Sequence, residues 1–181
     1  MRQSVVMMKP RLLYLLPLLL LQCKKKEEAA APEYRIDVSR YTMVDENGVV
    51  MGDVDPTDWT YDPNWDAATL AIFAPPPAAL LAGTDTATIR LFPVLPNPGN
   101  GDFLFAYSAS RSTLLQLVVT DDRLQVQLRS FVPLANANTI YNTRIGLPAT
   151  VGTGNYRLHY AFYNAAGTIY YKGHGDIRVQ R

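Results

Sequence analysis

The sequence has little cysteine and little charge, and both shortages exclude classes of protein. A single Cys in 181 residues excludes an internal disulfide, a multi-cysteine zinc site and a CxxC redox pair, because each needs at least two thiols. The 17 Lys+Arg nearly balance the 16 Asp+Glu, so the chain lacks the basic excess that binds phosphate backbones. We therefore expect no nucleic-acid partner, and the length fits one modest domain.

Common catalytic motifs are also missing. The sequence has no GxSxG, HExxH or GxxxxGK[ST] motif, and Gly152-Thr-Gly154 leads into a predicted strand, so it is read as a turn. We expect no catalytic residues and no cofactor, which favours a non-catalytic module over an enzyme. The alternative is a carboxylate-based, glycoside hydrolase-like enzyme that uses a pair among the aspartates of residues 53–66.

The N-terminus contains a basic segment followed by a short apolar run. Arg2, Lys9 and Arg11 precede the leucine-rich residues 12–21. This run of about ten residues is too short to cross a bilayer, which takes a helix of about 20. The pattern is typical of a secretory signal peptide over residues 1–22.

The lone cysteine follows this run directly. Leu20-Leu21-Gln22-Cys23 resembles the lipobox of bacterial lipoproteins. The resemblance implies that Cys23 is acylated and becomes the first residue of the mature chain. Two or three acyl chains, at about 0.8 kcal/mol per buried methylene, hold a protein firmly on a membrane. The alternative is that Cys23 remains a free thiol.

Residues 23–33 are predicted to be the lipidated cysteine and a charged tether, because KKKEE and AAAP offer nothing for a core. The basic-then-acidic cluster resembles the surface-export signal of lipoproteins in Bacteroidetes-type bacteria. That resemblance implies an outer-membrane lipoprotein exposed at the cell surface. The periplasmic face is the alternative, since every lipoprotein needs a polar spacer.

The rest of the chain has the pattern of short strands. Residues 123–129 alternate strictly, which predicts a half-buried strand with Leu124, Val126 and Leu128 on one face. We expect an all-β fold, an antiparallel immunoglobulin-like β-sandwich of seven or eight strands over residues 86–181, with an up-and-down barrel as the alternative. The other predicted strands are residues 86–92, 102–107, 114–120, 139–147, 156–163, 168–172 and 176–179.

Several stretches carry a further resemblance. LPNPGNGDF at residues 95–103, LQLVVTD at 115–121 and GNYRLHY at 154–160 resemble the immunoglobulin-like C-terminal sandwiches of secreted Bacteroidetes proteins. The segments around Trp59, Trp65 and residues 171–177 are similar to small uncharacterised lipoproteins of the same bacteria. The resemblance implies a fold and leaves the activity open, because sandwiches of this kind have many functions.

Two histidines fall on the last predicted hairpin. If Phe162 lies opposite Ile169, His159 lies opposite Lys172 and the outer face becomes basic and aromatic. We expect a solvated face, with contact to an anionic glycan, a carboxylate or an envelope protein as one alternative and a two-histidine metal site as another. The predicted patch consists of Arg157, His159, Tyr170, Lys172 and His174.

Residues 34–85 are predicted to be an extension that packs on the sandwich. It has one predicted helix, over residues 66–73 with Asp66 as N-cap. Asp53, Asp55, Asp58, Asp62 and Asp66 alternate here with Trp59, Tyr61 and Trp65. Three interpretations are open: turn aspartates with tryptophans that plug the sandwich, a calcium loop using Asp53, Asp55 and Asp58, or a carbohydrate platform of Trp59, Tyr61 and Trp65.

Overall fold

The computed structural model describes residues 34–181, so the predicted signal peptide, Cys23 and the tether lie outside the described residues. The described part has two short helices, α1 (Ala67–Ala71) and α2 (Ala78–Leu81). Neither has the length and hydrophobicity that a membrane-crossing helix needs. The strands are β1 (Thr60–Tyr61), β2 (Ile89–Leu91), β3 (Asp102–Ala109), β4 (Thr113–Thr120), β5 (Val126–Leu134), β6 (Thr139–Gly146), β7 (Gly154–Tyr163) and β8 (Ile169–Val179).

The strands form two antiparallel sheets that pack face to face. One sheet has the order β1-β8-β7-β4-β5 and the other β2-β3-β6. Between the sheets, the ring centroid of Phe105 lies 5.6 Å from that of Trp59 and 5.9 Å from that of Tyr160. The predicted all-β sandwich is confirmed, and the barrel alternative is wrong because the strands divide between two sheets.

The central strand β4 is buried along both of its faces. Leu115 and Leu117 belong to the core between the sheets, whereas Leu114 belongs to a second apolar cluster on the opposite face. That second cluster forms because Trp65 and Phe73, from the segment before the sandwich, pack on the outer face of the five-stranded sheet. The near-continuous apolar sequence of β4 reflects this double burial.

Helix α1 confirms the helix predicted after Asp66. The side chain of Asp66 accepts a hydrogen bond from the backbone N–H of Thr69, as an N-cap does. The helix ends at Ala71, ahead of Pro75, which cannot continue a helix. This short helix brings Phe73 onto the outer sheet face.

Strand β5 departs from its predicted alternation. It begins at Val126, Leu124 has a φ of 59°, and the pairing with β4 is irregular between Val119 and Thr120. Val126 is 42% exposed while Leu128 packs against the core. The expected common face of Leu124, Val126 and Leu128 is therefore wrong, because a bulge interrupts the period of two.

Strand β8 is continuous where the sequence predicts two strands. Gly173 and Gly175 lie inside it, and both leave space for neighbouring groups. A Cβ on Gly173 would lie 2.0 Å from the carbonyl oxygen of Thr60, and one on Gly175 would lie 2.4 Å from the ring of Trp59. Here the glycines do not end the strand. They allow β1 and the indole of Trp59 to lie against it.

Replacing Gly175 with Ala should destabilise the fold because the new methyl group collides with the ring of Trp59. Overpacking of this kind costs about 1–3 kcal/mol. The matched control is Gly152→Ala, where a Cβ has no neighbour within 4 Å, and its effect should stay within about 0.5 kcal/mol. Denaturant unfolding measures both variants, and equal stability of the two would contradict the packing of Trp59 on β8.

Candidate functional site

A cleft lies beside the outer face of β7 and β8, where residues 36–40 and 55–57 approach it. Its volume is about 460 Å³, and we call it the outer cleft. A smaller space of about 160 Å³, the inner chamber, shares Ile36, Arg157 and His174 with it. The outer cleft is also lined by Asp37, Arg40, Asp55, Pro56 and Thr57, and the inner chamber by Tyr34, Asp62, Asn64, Trp65, Asp66, Thr69 and His159.

The strand register beneath the cleft differs from the predicted one. Phe162 pairs with Tyr171 instead of Ile169, because the β7–β8 pairing is irregular between Phe162 and Tyr163. His159 consequently lies opposite His174, and not opposite Lys172. The predicted register is wrong by two residues, a shift that keeps Arg157, His159 and His174 on one face.

The predicted solvated face is in fact covered. His159 is only 2% exposed. The rings of Trp65 and Phe73 lie edge-on to the imidazole, with distances between ring centroids of 5.9 Å and 6.5 Å. Its Nε2 lies 3.2 Å from Oγ1 of Thr120, whereas its Nδ1 has no partner among the described residues. The expectation of a solvated face fails because residues 65–73 fold back over the sheet.

Two members of the predicted patch line neither the outer cleft nor the inner chamber. Tyr170 packs against the core between the sheets, and its hydroxyl is 2.8 Å from Oγ1 of Thr113. Its place in the outer patch is wrong because the β7–β8 irregularity changes its face. Lys172 stays on the outer side, where its Nζ lies 5.4 Å from the ring centre of Trp65, a cation–π contact.

A buried ion pair holds the wall of the cleft. Arg157 donates from Nε to Oδ1 of Asp176 at 2.6 Å and from Nη2 to Oδ2 at 2.7 Å, a bidentate geometry. Nη2 also donates to the backbone carbonyl of Asp37 at 2.6 Å. Burial raises the pKa of Asp176 to about 6, against the opposing effect of Arg157. The pair thus fixes both the floor and the N-terminal wall of the cleft.

Both histidines are neutral at pH 7. Burial, reinforced by the charge of Arg157, lowers the pKa of His174 to about 4, although Asp62 lies 3.6 Å from its Nδ1. Burial likewise holds the pKa of His159 well below its ordinary value. The charge of the cleft therefore comes from its arginines and aspartates.

The acidic segment does not form the calcium loop considered from the sequence. The carboxylate of Asp58 is buried and accepts hydrogen bonds from the N–H and the hydroxyl of Thr42 and from the N–H of Asp176. Both of its oxygens therefore already accept hydrogen bonds from the protein. Across residues 34–181, no three Asp, Glu, His or Cys side chains lie together in a metal-binding group.

The aromatic residues of the same segment do not form one platform. Trp59 is 9% exposed and belongs to the core between the sheets. Trp65 lies on the outer face and stacks on Phe73, with 4.9 Å between the ring centroids. Tyr61 is exposed, and the centroid of its ring lies 5.3 Å from that of Tyr171. The carbohydrate platform of Trp59, Tyr61 and Trp65 is wrong because its two indoles are on opposite faces of one sheet. Trp59 does plug the sandwich.

The sequence does not single out Asp176, which holds Arg157, or Arg40, which lines the outer cleft. Asp176 follows a glycine in a predicted strand, and its role depends on a pairing with Arg157 that only the register reveals. Arg40 lies in an exposed loop of the extension, and its guanidinium makes no hydrogen bond or ion pair within residues 34–181. No protein-family model and no curated protein matches the chain.

The depressed pKa of His174 predicts a pH dependence of stability. As the pH falls, the unfolded chain takes up this proton near 6.5 but the folded chain only near 4, so the free energy of unfolding drops across that window. Wild type should lose about 3 kcal/mol more than His174→Gln between pH 7 and pH 4. The raised pKa of Asp176 has the opposite effect on the free energy of unfolding as the pH falls, and this effect is largely the same in both proteins.

NMR titration of the His174 ring checks the cause directly. The Cε1 proton of His174 should titrate with a midpoint near 4, and the pKa of His159 should lie well below that of an exposed histidine. A His174 midpoint near 6.5, or equal pH profiles of the two proteins, would contradict the burial of this side chain.

Proposed function

We propose that the protein is a lipid-anchored, non-catalytic lipoprotein of the cell envelope, and that its sandwich binds a small polar ligand in the outer cleft. The cleft is the observation that carries the binding function. Its volume of about 460 Å³ falls within the roughly 300–1,000 Å³ of small-molecule sites, and its polar groups are held in place by a buried ion pair. An envelope protein is the alternative partner at this face.

The chemistry of the cleft favours binding over catalysis. Asp176 has a raised pKa, but its side chain is 3% exposed and both of its oxygens are held by Arg157. His174, with a pKa of about 4, is a weak proton acceptor at neutral pH. A carboxylate-based hydrolase needs two accessible carboxyls about 5–9 Å apart, and Asp58, one of the aspartates considered for that role, is too enclosed to be one of them.

The anchor rests on the sequence around Cys23. A basic segment, a short apolar run and the lipobox-like Leu20-Leu21-Gln22-Cys23 support acylation of this cysteine. The charged tether after it supports export to the cell surface, with the periplasmic face as the alternative. The described domain begins shortly after that tether, at Tyr34.

Replacing Cys23 with Ala should release the protein from the membrane fraction, because the variant offers no sulfur for acylation. Gln22→Ala is the matched control. It leaves the cysteine in place and should remain in the membrane. Immunoblots of fractionated cells measure both, and a Cys23→Ala protein that still sediments with membranes would disprove the lipid anchor.

Protease treatment of intact cells distinguishes the two faces of the outer membrane. Degradation of the wild-type chain without cell lysis is the expected result for a surface lipoprotein. Complete protection, with degradation after lysis, would place the domain on the periplasmic face.

Binding can be followed through the two tryptophans of the full-length chain, purified in detergent and labelled with ¹⁵N-tryptophan. Trp65 lines the inner chamber, while Trp59 lies in the core and serves as the internal reference. At least one of four ligand classes (neutral saccharides, uronic acids, amino sugars and amino acids) should shift the indole N–H signal of Trp65 alone. If no class moves this signal and calorimetry also detects no binding, the proposed binding function is wrong.

A further inference from the structure

We infer that the outer cleft binds a neutral saccharide, through a guanidinium and a carboxylate that lie in the same cleft. This inference rests on the proposed binding function and specifies its ligand class. It differs from the aromatic platform considered from the sequence, because hydrogen bonds from the cleft walls, and not stacked indole rings, recognise the sugar.

The charges around the cleft disfavour an anionic ligand. Its lining carries Asp37 and Asp55 against Arg40 and Arg157, and the charge of Arg157 is already neutralised by Asp176. The neighbouring histidines add no positive charge at pH 7. Two aspartates therefore remain against one arginine, and a carboxylate ligand would be repelled. A ligand without a carboxylate avoids that repulsion.

The free hydrogen-bonding groups match hydroxyl groups, which both donate and accept. The guanidinium of Arg40 and the Nη1 group of Arg157 make no hydrogen bond within residues 34–181, so both can donate. Oδ1 of Asp55 accepts from the N–H and the hydroxyl of Thr57, but Oδ2 accepts from none of the described residues. Neighbouring hydroxyls of a sugar can use these donors and this acceptor together.

The remaining walls suit the apolar side of a sugar ring. Ile36 and Pro56 line the same cleft and offer aliphatic surface to the C–H groups of the ring. The inner chamber, with Asp62 and Asn64 in its lining, adds about 160 Å³ that can take an exocyclic substituent. The cleft thus combines a few oriented polar groups with apolar walls, as small-molecule sites generally do.

The test compares matched ligands on the full-length, detergent-purified chain. Glucose, galactose, mannose and their disaccharides are titrated beside glucuronate and glucosamine, with the indole signal of Trp65 as the readout and that of Trp59 as the reference. We expect a neutral saccharide to bind at least tenfold more tightly than glucuronate, whose carboxylate would face Asp37 and Asp55. Tighter binding of glucuronate, or binding of glucosamine but of no neutral saccharide, would overturn the inference while leaving the binding function intact. Absence of binding of every neutral saccharide, both in the indole signal and by calorimetry, would also overturn it.

Variants test the two groups that define the site. Arg40→Ala should weaken saccharide binding about tenfold, as expected for loss of a charged hydrogen bond, whereas Arg90→Ala, an exposed arginine of the other sheet, should leave it unchanged. Asp55→Asn should weaken binding of the neutral sugar and reduce the ratio of its affinity to that of glucuronate. An unchanged Trp59 signal shows that each variant is folded. Unaltered affinity and selectivity in both cleft variants would disprove this mode of recognition.

Discussion

The buried carboxylate of Asp58 connects the segments on which the cleft depends. Burying a carboxylate is strongly unfavourable unless hydrogen bonds replace its water, and Asp58 obtains them from Thr42 and from the backbone of Asp176. The loop at Thr42 and strand β8 must therefore approach each other. Asp176, positioned in this way, holds Arg157, which in turn holds the carbonyl of Asp37. A series of polar contacts thus runs from the interior of the extension to the wall of the cleft.

Much of the fold could be predicted because strand alternation and helix capping are local. The sequence predicts the helix after Asp66 and a strand over residues 86–92, within which β2 lies. It failed where non-local packing decides the outcome. The sequence does not indicate the bulge between Val119 and Thr120. It also predicts separate strands on either side of residues 173–175, where the ring of Trp59 leaves no room for a Cβ on Gly175.

Only part of the candidate site could be predicted from the sequence, for the same reason. Arg157, His159 and His174 share a face in the predicted and the observed register alike, because a shift of two residues preserves the side of the sheet. Nothing local shows that a segment distant in sequence covers this face, so burial, and with it the neutral state of the histidines, could not be foreseen. Nor could the separation of Trp59 and Trp65, which depends on the chain passing around the sheet edge at β1.

The wall of the cleft is also the first part of the domain that a pull from its N-terminal side would reach. Between Tyr34 and Val38, hydrogen bonds tie this segment to the rest of the fold, among them Ile36 to Asp122 and Asn155 to Val38. Mechanical tension loads these contacts before any strand of the sandwich. A ligand that bridges this wall and the floor at Arg157 would share that load. If the proposed ligand binds in this way, it also increases the resistance of the domain to force.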